Sequence, residues 1–316
     1  MKAVVIREPG GPEKLIYTQV PTPTIKDGWS LVKVLGFGVN HSEIFTRQGL
    51  SPSVQFPRIL GIECVGVIEE STVLPKGQKI LSIMGEMGRA FDGSYAEYTL
   101  LPDSQIYPIE SELPLPVLCA IPETYYTAYG SMRNLQIKET DSVLVRGATS
   151  GVGIAFMRLV KAAYPHLRIT GTSRSEKKAQ RLLDAGFDAV VTDQNAILQT
   201  DQKYDKILDL IGPAALRDTF RRLHENGIVC VTGLLGGEWT LPDFDPIEEL
   251  PPDSYVTSFH SGNVTKEKIQ AMLHYIAQHD VDTAPEKVFR LEEIRQAHTY
   301  LHSADSFGKV VVLVAE

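Results

Sequence analysis

The sequence predicts an α/β protein in which a doubly wound parallel sheet is combined with a second, smaller β domain. A strand, a glycine-rich turn and a helix follow one another within residues 141–164, and further β and α segments alternate up to about residue 259. This alternation is typical of a parallel sheet. The first 115 or so residues instead contain short strand-like segments separated by glycine and proline, as small β domains do.

The segment 141–164, DSVLVRGATSGVGIAFMRLVKAAY, is central to the prediction. Val143 to Val145 predict a short strand, and apolar residues recur at helical spacing from Ile154 onward. A glycine-rich turn between them lets backbone N–H groups approach a pyrophosphate at the positive end of the helix. We therefore predict a Rossmann-type dinucleotide-binding domain whose turn contacts the cofactor through Thr149, Ser150, Gly151, Val152 and Gly153. Because the spacing is Gly-x-x-x-Gly-x-Gly, a plain strand-to-helix turn is the alternative.

The end of the next predicted strand, 167–172, indicates which dinucleotide binds. An acidic residue there, roughly 20 residues beyond the last glycine, would hold the ribose 2′-hydroxyl of NADH. The chain has Ser173 and Arg174 at this point, followed by Lys177 and Lys178. Hydroxyl groups and cations suit a 2′-phosphate, so we predict NADPH, bound through Ser173, Arg174 and Lys178. A solvated helix face is the alternative for the two lysines.

The β-α alternation continues beyond this point. The pattern predicts strands at 188–192, 204–211, 228–235 and 254–259, and helices at 176–185, 214–226 and 266–278. The first two of these helices are followed by Gly186 and Gly227, which suit a left-handed C-terminal cap. Ligands bind beyond the carboxyl ends of strands in open α/β sheets, so Gly233 and Leu234 are predicted to line the nicotinamide end. A loop glycine that needs positive φ is the alternative for Gly233.

Composition excludes several classes of protein. A chain of 316 residues with 43% hydrophobic residues can form two domains, and a net charge of −8 argues against a nucleic-acid surface. Cys64, Cys119 and Cys230 form no C-x-x-C pair, so neither a disulfide framework nor a thiolate zinc site is indicated. The chain also lacks a signal-peptide core and any run near the roughly 20 apolar residues of a membrane helix. We expect a cytoplasmic protein with a small-molecule substrate and no nucleic-acid or membrane partner.

Five motifs occur in a fixed order along almost the whole chain: GFGVNHSE at 36–43, PRILGIECVG at 57–66, DGSYAEY at 92–98, LVRGATSGVG at 144–153 and GKVVVL at 308–313. Together they resemble the medium-chain dehydrogenase/reductase superfamily, and within it the zinc-free quinone oxidoreductases related to ζ-crystallin. The resemblance implies a GroES-like β domain, 1–120 plus 262–316, into which the Rossmann domain, 121–261, is inserted. It also implies a homodimer, because related enzymes commonly dimerise through the nucleotide domain.

The differences from the zinc-dependent branch of this superfamily bear on mechanism. Zinc alcohol dehydrogenases have a Cys where this chain has Asn40, a His where it has Ile62, and a third ligand near 121–124, where this chain has no thiol. A catalytic zinc needs three protein ligands and an open position, so we predict that no metal binds. A rescued site built from His41 and Glu43 is the alternative.

Without a Lewis acid, the hydride acceptor must already be electrophilic, as a quinone or an α,β-unsaturated carbonyl is. The resemblance implies that Asn40 donates a hydrogen bond to the acceptor oxygen, where negative charge develops. It also places Thr127 near the nicotinamide, and Tyr125 is a candidate proton donor. The alternatives are a loop role for Asn40, in which it bonds its own backbone, and a core role for Tyr125; Glu43 is expected to brace the loop.

These inferences lead to one prediction of function and two alternatives. We predict an NADPH-dependent, zinc-independent enzyme that transfers hydride to a quinone. The first alternative is an NADPH-dependent reductase of enones, which uses the same chemistry on another acceptor. The second is a non-catalytic NADPH-binding sensor or structural protein, which would keep the glycine-rich turn and Arg174 but lack turnover.

Overall fold

The computed structural model describes residues 1–314, which divide into two compact units. The first unit contains residues 1–124, 262–271 and those from 283 onward, and the second contains residues 125–261 and 272–282. Within the described residues, no helix combines the length and the apolar character needed to cross a membrane.

The strands are β1 (Lys2–Ile6), β2 (Ile16–Gln19), β3 (Trp29–Val39), β4 (Arg58–Ile59), β5 (Glu63–Glu70), β6 (Lys79–Ile83), β7 (Tyr98–Pro102), β8 (Tyr107–Pro108), β9 (Val143–Arg146), β10 (Ile169–Ser173), β11 (Ala189–Gln194), β12 (Ile197–Leu198), β13 (Tyr204–Asp209), β14 (Leu223–Val231), β15 (Tyr255–Ser258), β16 (Lys287–Arg290) and β17 (Val310–Leu313). The helices are α1 (His41–Arg47), α2 (Leu115–Cys119), α3 (Pro122–Leu135), α4 (Gly151–Ala163), α5 (Glu176–Ala185), α6 (Pro213–Arg221), α7 (Pro246–Glu249), α8 (Lys266–Gln278) and α9 (Ile294–His302).

The first unit is built around the long strand β3. This strand pairs antiparallel with β5 and with β17, in a sheet of order β16-β17-β3-β5-β6-β8, and β1 pairs with β2 and β4 in a smaller sheet. Apolar side chains of β1, β3 and α9 fill the core between them. Strands β5 and β17 flank β3. Three residues therefore lie near one another: Asn40 after β3, Glu63 at the start of β5 and Lys309 before β17.

The second unit contains a seven-stranded sheet of order β12-β11-β10-β9-β13-β14-β15. Its successive neighbours from β11 to β15 pair parallel, and only the short edge strand β12 is antiparallel. Strands β10 and β11 lie on one side of β9, whereas β13, β14 and β15 lie on the other. The strand order therefore reverses at β9, which is the point where open α/β sheets bind their ligands. This topology confirms the predicted doubly wound sheet.

Most predicted β-α elements occur as expected, but the helix predicted at 214–226 is wrong at its C-terminal end. Helix α6 ends at Arg221, and β14 already begins at Leu223. Leu223 is fully buried and pairs with Tyr204, so its packing in the sheet prevails over the helical pattern. Gly227 therefore does not end a helix, whereas Gly186 has φ +118° and does cap α5 as predicted.

The second half of α8 belongs to the second unit, although the sequence-based boundary assigned residues 262–316 to the GroES-like domain. Tyr275 accounts for this, because its hydroxyl donates to the Leu159 carbonyl at 3.1 Å and its ring lies 5.3 Å from that of Tyr129. Residues 121–124, predicted to be part of the Rossmann domain, belong to the first unit.

Candidate active site

Asn40, the predicted hydrogen-bond donor, lies in the first unit between the end of β3 and the start of α1. Its side chain does not cap the helix. Its Nδ2 donates to Glu63 Oε1 at 2.9 Å, and its Oδ1 accepts from Lys309 Nζ at 2.7 Å. Lys309 Nζ also donates to Glu63 Oε1 at 2.7 Å, so the three side chains form one hydrogen-bonded cluster. The amide is thus bound to two charged side chains and not to its own backbone.

The two charged side chains of this cluster are buried. Glu63 is 0% and Lys309 6% exposed, and the second oxygen of Glu63 accepts from the Glu123 backbone N–H at 2.7 Å. A buried charge is tolerated only when it is paired, so each of these two charges requires the other. Gly38 leaves the space for the pair, because a Cβ there would lie 2.3 Å from Lys309 Nζ and 2.4 Å from Glu63 Oε1.

Glu43, on α1, adds a second buried carboxyl group to the cluster. Its Oε1 accepts from the Ile62 backbone N–H at 3.4 Å and lies 3.5 Å from Asn40 Nδ2. Its Oε2 has no hydrogen-bond partner among the described residues. Burial, and next the charge of Glu63, raises the pKa of Glu43 to about 8. Glu43 is therefore largely neutral at pH 7, and the contact with Ile62 is consistent with the expected bracing role.

The residues of this cluster do not suit a divalent cation. The amide oxygen of Asn40 is already bound to the Lys309 ammonium, and Ile62 offers no ligand atom. A second positive charge next to a buried ammonium would be strongly repelled. Among residues 1–314, no group of three or more His, Cys, Asp or Glu side chains is arranged to hold a metal ion.

The predicted cofactor turn lies in the second unit, where β9 leads into α4 at the reversal of strand order. Ser150 Oγ accepts from the Gly153 N–H at 3.1 Å and so caps the helix. A Cβ on Gly153 would lie 2.6 Å from the Ala148 carbonyl oxygen, so glycine lets the helix start close to the strand. The N–H groups of Gly151 and Val152 have no protein partner in the described part of the chain. They can bind an anion there, as can the neighbouring Thr149.

The residues predicted to bind the 2′-phosphate lie at and after the end of β10. Ser173 is buried, and its hydroxyl accepts from the Ser175 N–H at 3.1 Å and donates to the Ser175 carbonyl at 2.8 Å. Arg174 follows it with an exposed side chain, and Lys178 lies half-buried on α5. The hydroxyl of Ser173 thus shapes the turn that presents Arg174, and no acidic residue ends the strand.

Gly233 and Leu234 follow β14, at the carboxyl-terminal edge of the parallel sheet, where the turn after β9 also lies. A Cβ on Gly233 would lie 2.3 Å from the Leu210 carbonyl oxygen, so a close approach of two backbones requires glycine here. Gly233 does not have positive φ, so the alternative that explained it by a left-handed conformation is wrong.

Tyr125 and Thr127 lie on α3 and are both buried. The Tyr125 hydroxyl donates to the Asp282 backbone carbonyl at 2.8 Å, and burial raises its pKa to about 12. A phenol that is buried, bonded and weakly acidic fits the alternative of a core tyrosine better than it fits a proton donor. The Thr127 carbonyl accepts from Ser131 Oγ at 2.8 Å in the next turn of the helix.

Glu63, Lys309 and Gly38 were not singled out from the sequence as site residues. One sequence feature could have identified the two charged residues. Glu63 precedes Cys-Val-Gly-Val and Lys309 precedes Val-Val-Val-Leu, so each charged residue stands at the start of an apolar strand. Charged residues next to buried strands are seldom buried themselves unless they are paired. Which residue each one pairs with depends on the order of the strands in the sheet.

Comparisons with known proteins agree with this fold. Residues 26–111 match the alcohol dehydrogenase GroES-like domain, and residues 182–312 match the family described as zinc-binding dehydrogenase. Human quinone oxidoreductase is 28% identical over 333 residues, covering 99% of this chain and 98% of the human protein. The quinone oxidoreductase from Coxiella burnetii has a TM-score of 0.84 at 20% identity, covering 100% of this chain and 99% of that one. A mycobacterial protein solved in complex with NADPH has a TM-score of 0.83 at 22% identity, with 99% of both chains covered.

The fold and these matches define the class of protein: the chain belongs to the medium-chain dehydrogenase/reductase superfamily, a group of nicotinamide-dependent oxidoreductases. Within that superfamily, the human relative that aligns over 98% of its length is a quinone oxidoreductase. The predicted family, with its GroES-like and Rossmann-type domains, is thereby confirmed.

Proposed function

We propose that this protein is an NADPH-dependent, zinc-independent reductase that transfers hydride to a quinone. The observation that carries the proposal is the Asn40 amide, fixed between a buried ammonium and a buried carboxylate. One N–H of Nδ2 is used by Glu63, and the other has only a 3.5 Å contact with Glu43 Oε1. That second N–H is able to donate to an acceptor oxygen and to stabilise negative charge as it develops there.

The reduced nicotinamide of NADPH supplies the hydride when it is bound. A hydride carries two electrons and one proton to the acceptor, so one further proton from solvent completes the hydroquinone. In this scheme Asn40 holds the acceptor oxygen, Thr127 lines the nicotinamide site, and Tyr125 has a structural role. A neutral amide N–H polarises an acceptor oxygen less than a metal ion does, so the scheme suits acceptors that need little polarisation.

For the cofactor, we propose that the N–H groups of the 149–153 turn bind the pyrophosphate and that Gly233 and Leu234 line the nicotinamide end. Arg174 and Lys178 would bind the 2′-phosphate. The exposed side chain of Arg174 and the absence of an acid at the end of β10 support NADPH over NADH. Replacing Arg174 by Ala should weaken NADPH binding at least tenfold and leave NADH binding within twofold. Equal effects on both cofactors would contradict the phosphate assignment.

The reaction itself is tested with EDTA-treated protein, by following NADPH oxidation with a quinone and, in parallel, with a conjugated enone. Turnover that survives chelation and is faster with the quinone supports the proposal. A faster reaction with the enone would favour the enone reductase instead. Tight NADPH binding without turnover on either acceptor would favour a non-catalytic binding protein.

We also propose that the protein forms a homodimer through the free edge of β15. Tyr255 and Val256 on this edge strand are 63% and 43% exposed, and Ile247, on α7 just before it in the chain, is 86% exposed. An apolar edge strand with unpaired backbone groups readily pairs with a second copy of itself. Light scattering after size-exclusion chromatography should give the dimer mass for the wild type and the monomer mass for Val256→Lys. Cytoplasmic localisation stays a prediction.

A further inference from the structure

The side chain of Asn40 can in principle adopt two orientations that differ by a half-turn of its amide group. The two orientations have almost the same shape, so packing alone does not distinguish them; their hydrogen-bond partners do. Lys309 has only donors, and an ionised Glu63 has only acceptors. The amide oxygen therefore faces Lys309 at 2.7 Å, and the amide nitrogen faces Glu63 at 2.9 Å.

A reversed amide would lose both of these contacts at once. Its N–H groups would face the ammonium, and its oxygen would face the carboxylate, and both repulsions would be strong because the two charged groups are buried. The oxygen would then also face the acceptor in place of an N–H group, and it would oppose the negative charge that develops on the acceptor.

We propose that Glu63 and Lys309 are positioning residues that select the orientation of the Asn40 amide in which N–H faces the acceptor oxygen. The inference rests on the proposed role of Asn40 as the donor. It adds that a pair of opposite charges, neither of which touches the acceptor, determines whether Asn40 stabilises or opposes the reaction. The 2.7 Å ion pair between Lys309 and Glu63 holds the two side chains in place relative to each other.

Glu63→Gln is the most direct test, because it keeps the size of the side chain and removes the charge. A glutamine amide can donate as well as accept, so it tolerates either orientation of Asn40. We expect kcat to fall about tenfold or more, with the KM for NADPH within about twofold, since losing the full contribution of one oxyanion donor costs on the order of 100-fold. Lys309→Arg keeps a buried cation with donors and should retain more activity than Lys309→Met.

A double-mutant cycle separates positioning from structural support. If Glu63 acts through Asn40, then adding Glu63→Gln to Asn40→Ala should change kcat less than about twofold. The side-chain NH₂ proton signals of Asn40, identified by their loss in Asn40→Ala, should also move upfield in Glu63→Gln as the charge-assisted bond is lost. Lys161→Met is the matched control, because it removes the Lys161–Asp188 pair elsewhere in the chain and should leave kcat unchanged.

The outcomes distinguish this inference from the proposed function. Full turnover by Asn40→Ala with every acceptor would overturn both the donor role of Asn40 and the inference. Loss of turnover in Asn40→Ala, together with a further tenfold loss in the double variant, would overturn the positioning role alone. If Glu63→Gln does not fold, as judged by circular dichroism, the same cycle is run with Lys309→Met.

Discussion

The buried carboxyl group of Glu43 gives the protein a stability that depends on pH. Its side chain is 1% exposed, and its pKa is raised from the usual 4.5 to about 8 by burial and by Glu63. Between these two values the folded state keeps a proton on Glu43 that the unfolded chain has already released. Stability therefore falls as pH rises through this window, and the contribution of Glu43 is favourable at its lower end.

Glu43→Gln isolates this contribution, because glutamine has nearly the same shape and does not titrate. The wild type should lose about 1.4 kcal/mol of unfolding free energy per pH unit relative to the variant. From pH 5 to pH 8, this amounts to roughly 4 kcal/mol. The unfolding free energy of the variant, relative to that of the wild type, should thus increase steadily as the pH rises, although one hydrogen-bond acceptor has been altered.

Urea unfolding of both proteins at pH 5, 6, 7 and 8, followed by far-UV circular dichroism, measures the difference. Glu112→Gln, at an exposed position of the same unit, controls for the loss of one carboxylate. A difference between wild type and Glu43→Gln that stays constant across the four pH values would refute the reasoning. It would mean that Glu43 remains charged inside the folded protein.

Three further predictions concern single side chains. Burial, then Arg47 and His41, lowers the pKa of His298 from 6.5 to about 3, so the wild type should lose stability as pH falls below 6.5, and His298→Gln should lose less in acid melting curves. Gly38→Ala should lower kcat by displacing the charged pair beside Asn40, while the affinity for NADPH, measured by fluorescence titration, stays within about twofold of the wild-type value. Arg146→Met should lower the unfolding free energy by about 3 kcal/mol or more in urea titrations, because the fully buried guanidinium holds Asp193 at 2.9 Å and Asp218 at 3.1 Å.

The sequence was informative wherever a local pattern decides the structure. The glycine-rich turn, helix α5 with its Gly186 cap, and the change from short strands to β-α units all depend on residues close together in the chain. The end of α6 could not be predicted in this way, because it depends on Leu223 packing against Tyr204 from another strand. The cluster around Asn40 was missed for the same reason, since Glu63 lies 23 residues away in sequence and Lys309 lies 269.

If Asn40 is the donor that we propose, the charge balance of this cluster bears on which acceptors the site would suit. A catalytic divalent cation polarises a substrate oxygen directly, which stabilises the transition state by several kcal/mol. Here the positive charge is the Lys309 ammonium, which acts on the Asn40 carbonyl and is balanced by Glu63. The amide N–H becomes a stronger donor because its carbonyl is polarised, but the proposed acceptor would still meet a neutral group. Under this proposal, such a site would stabilise charge on an oxygen that accepts it readily, as in a quinone, and would give much less help to a simple ketone.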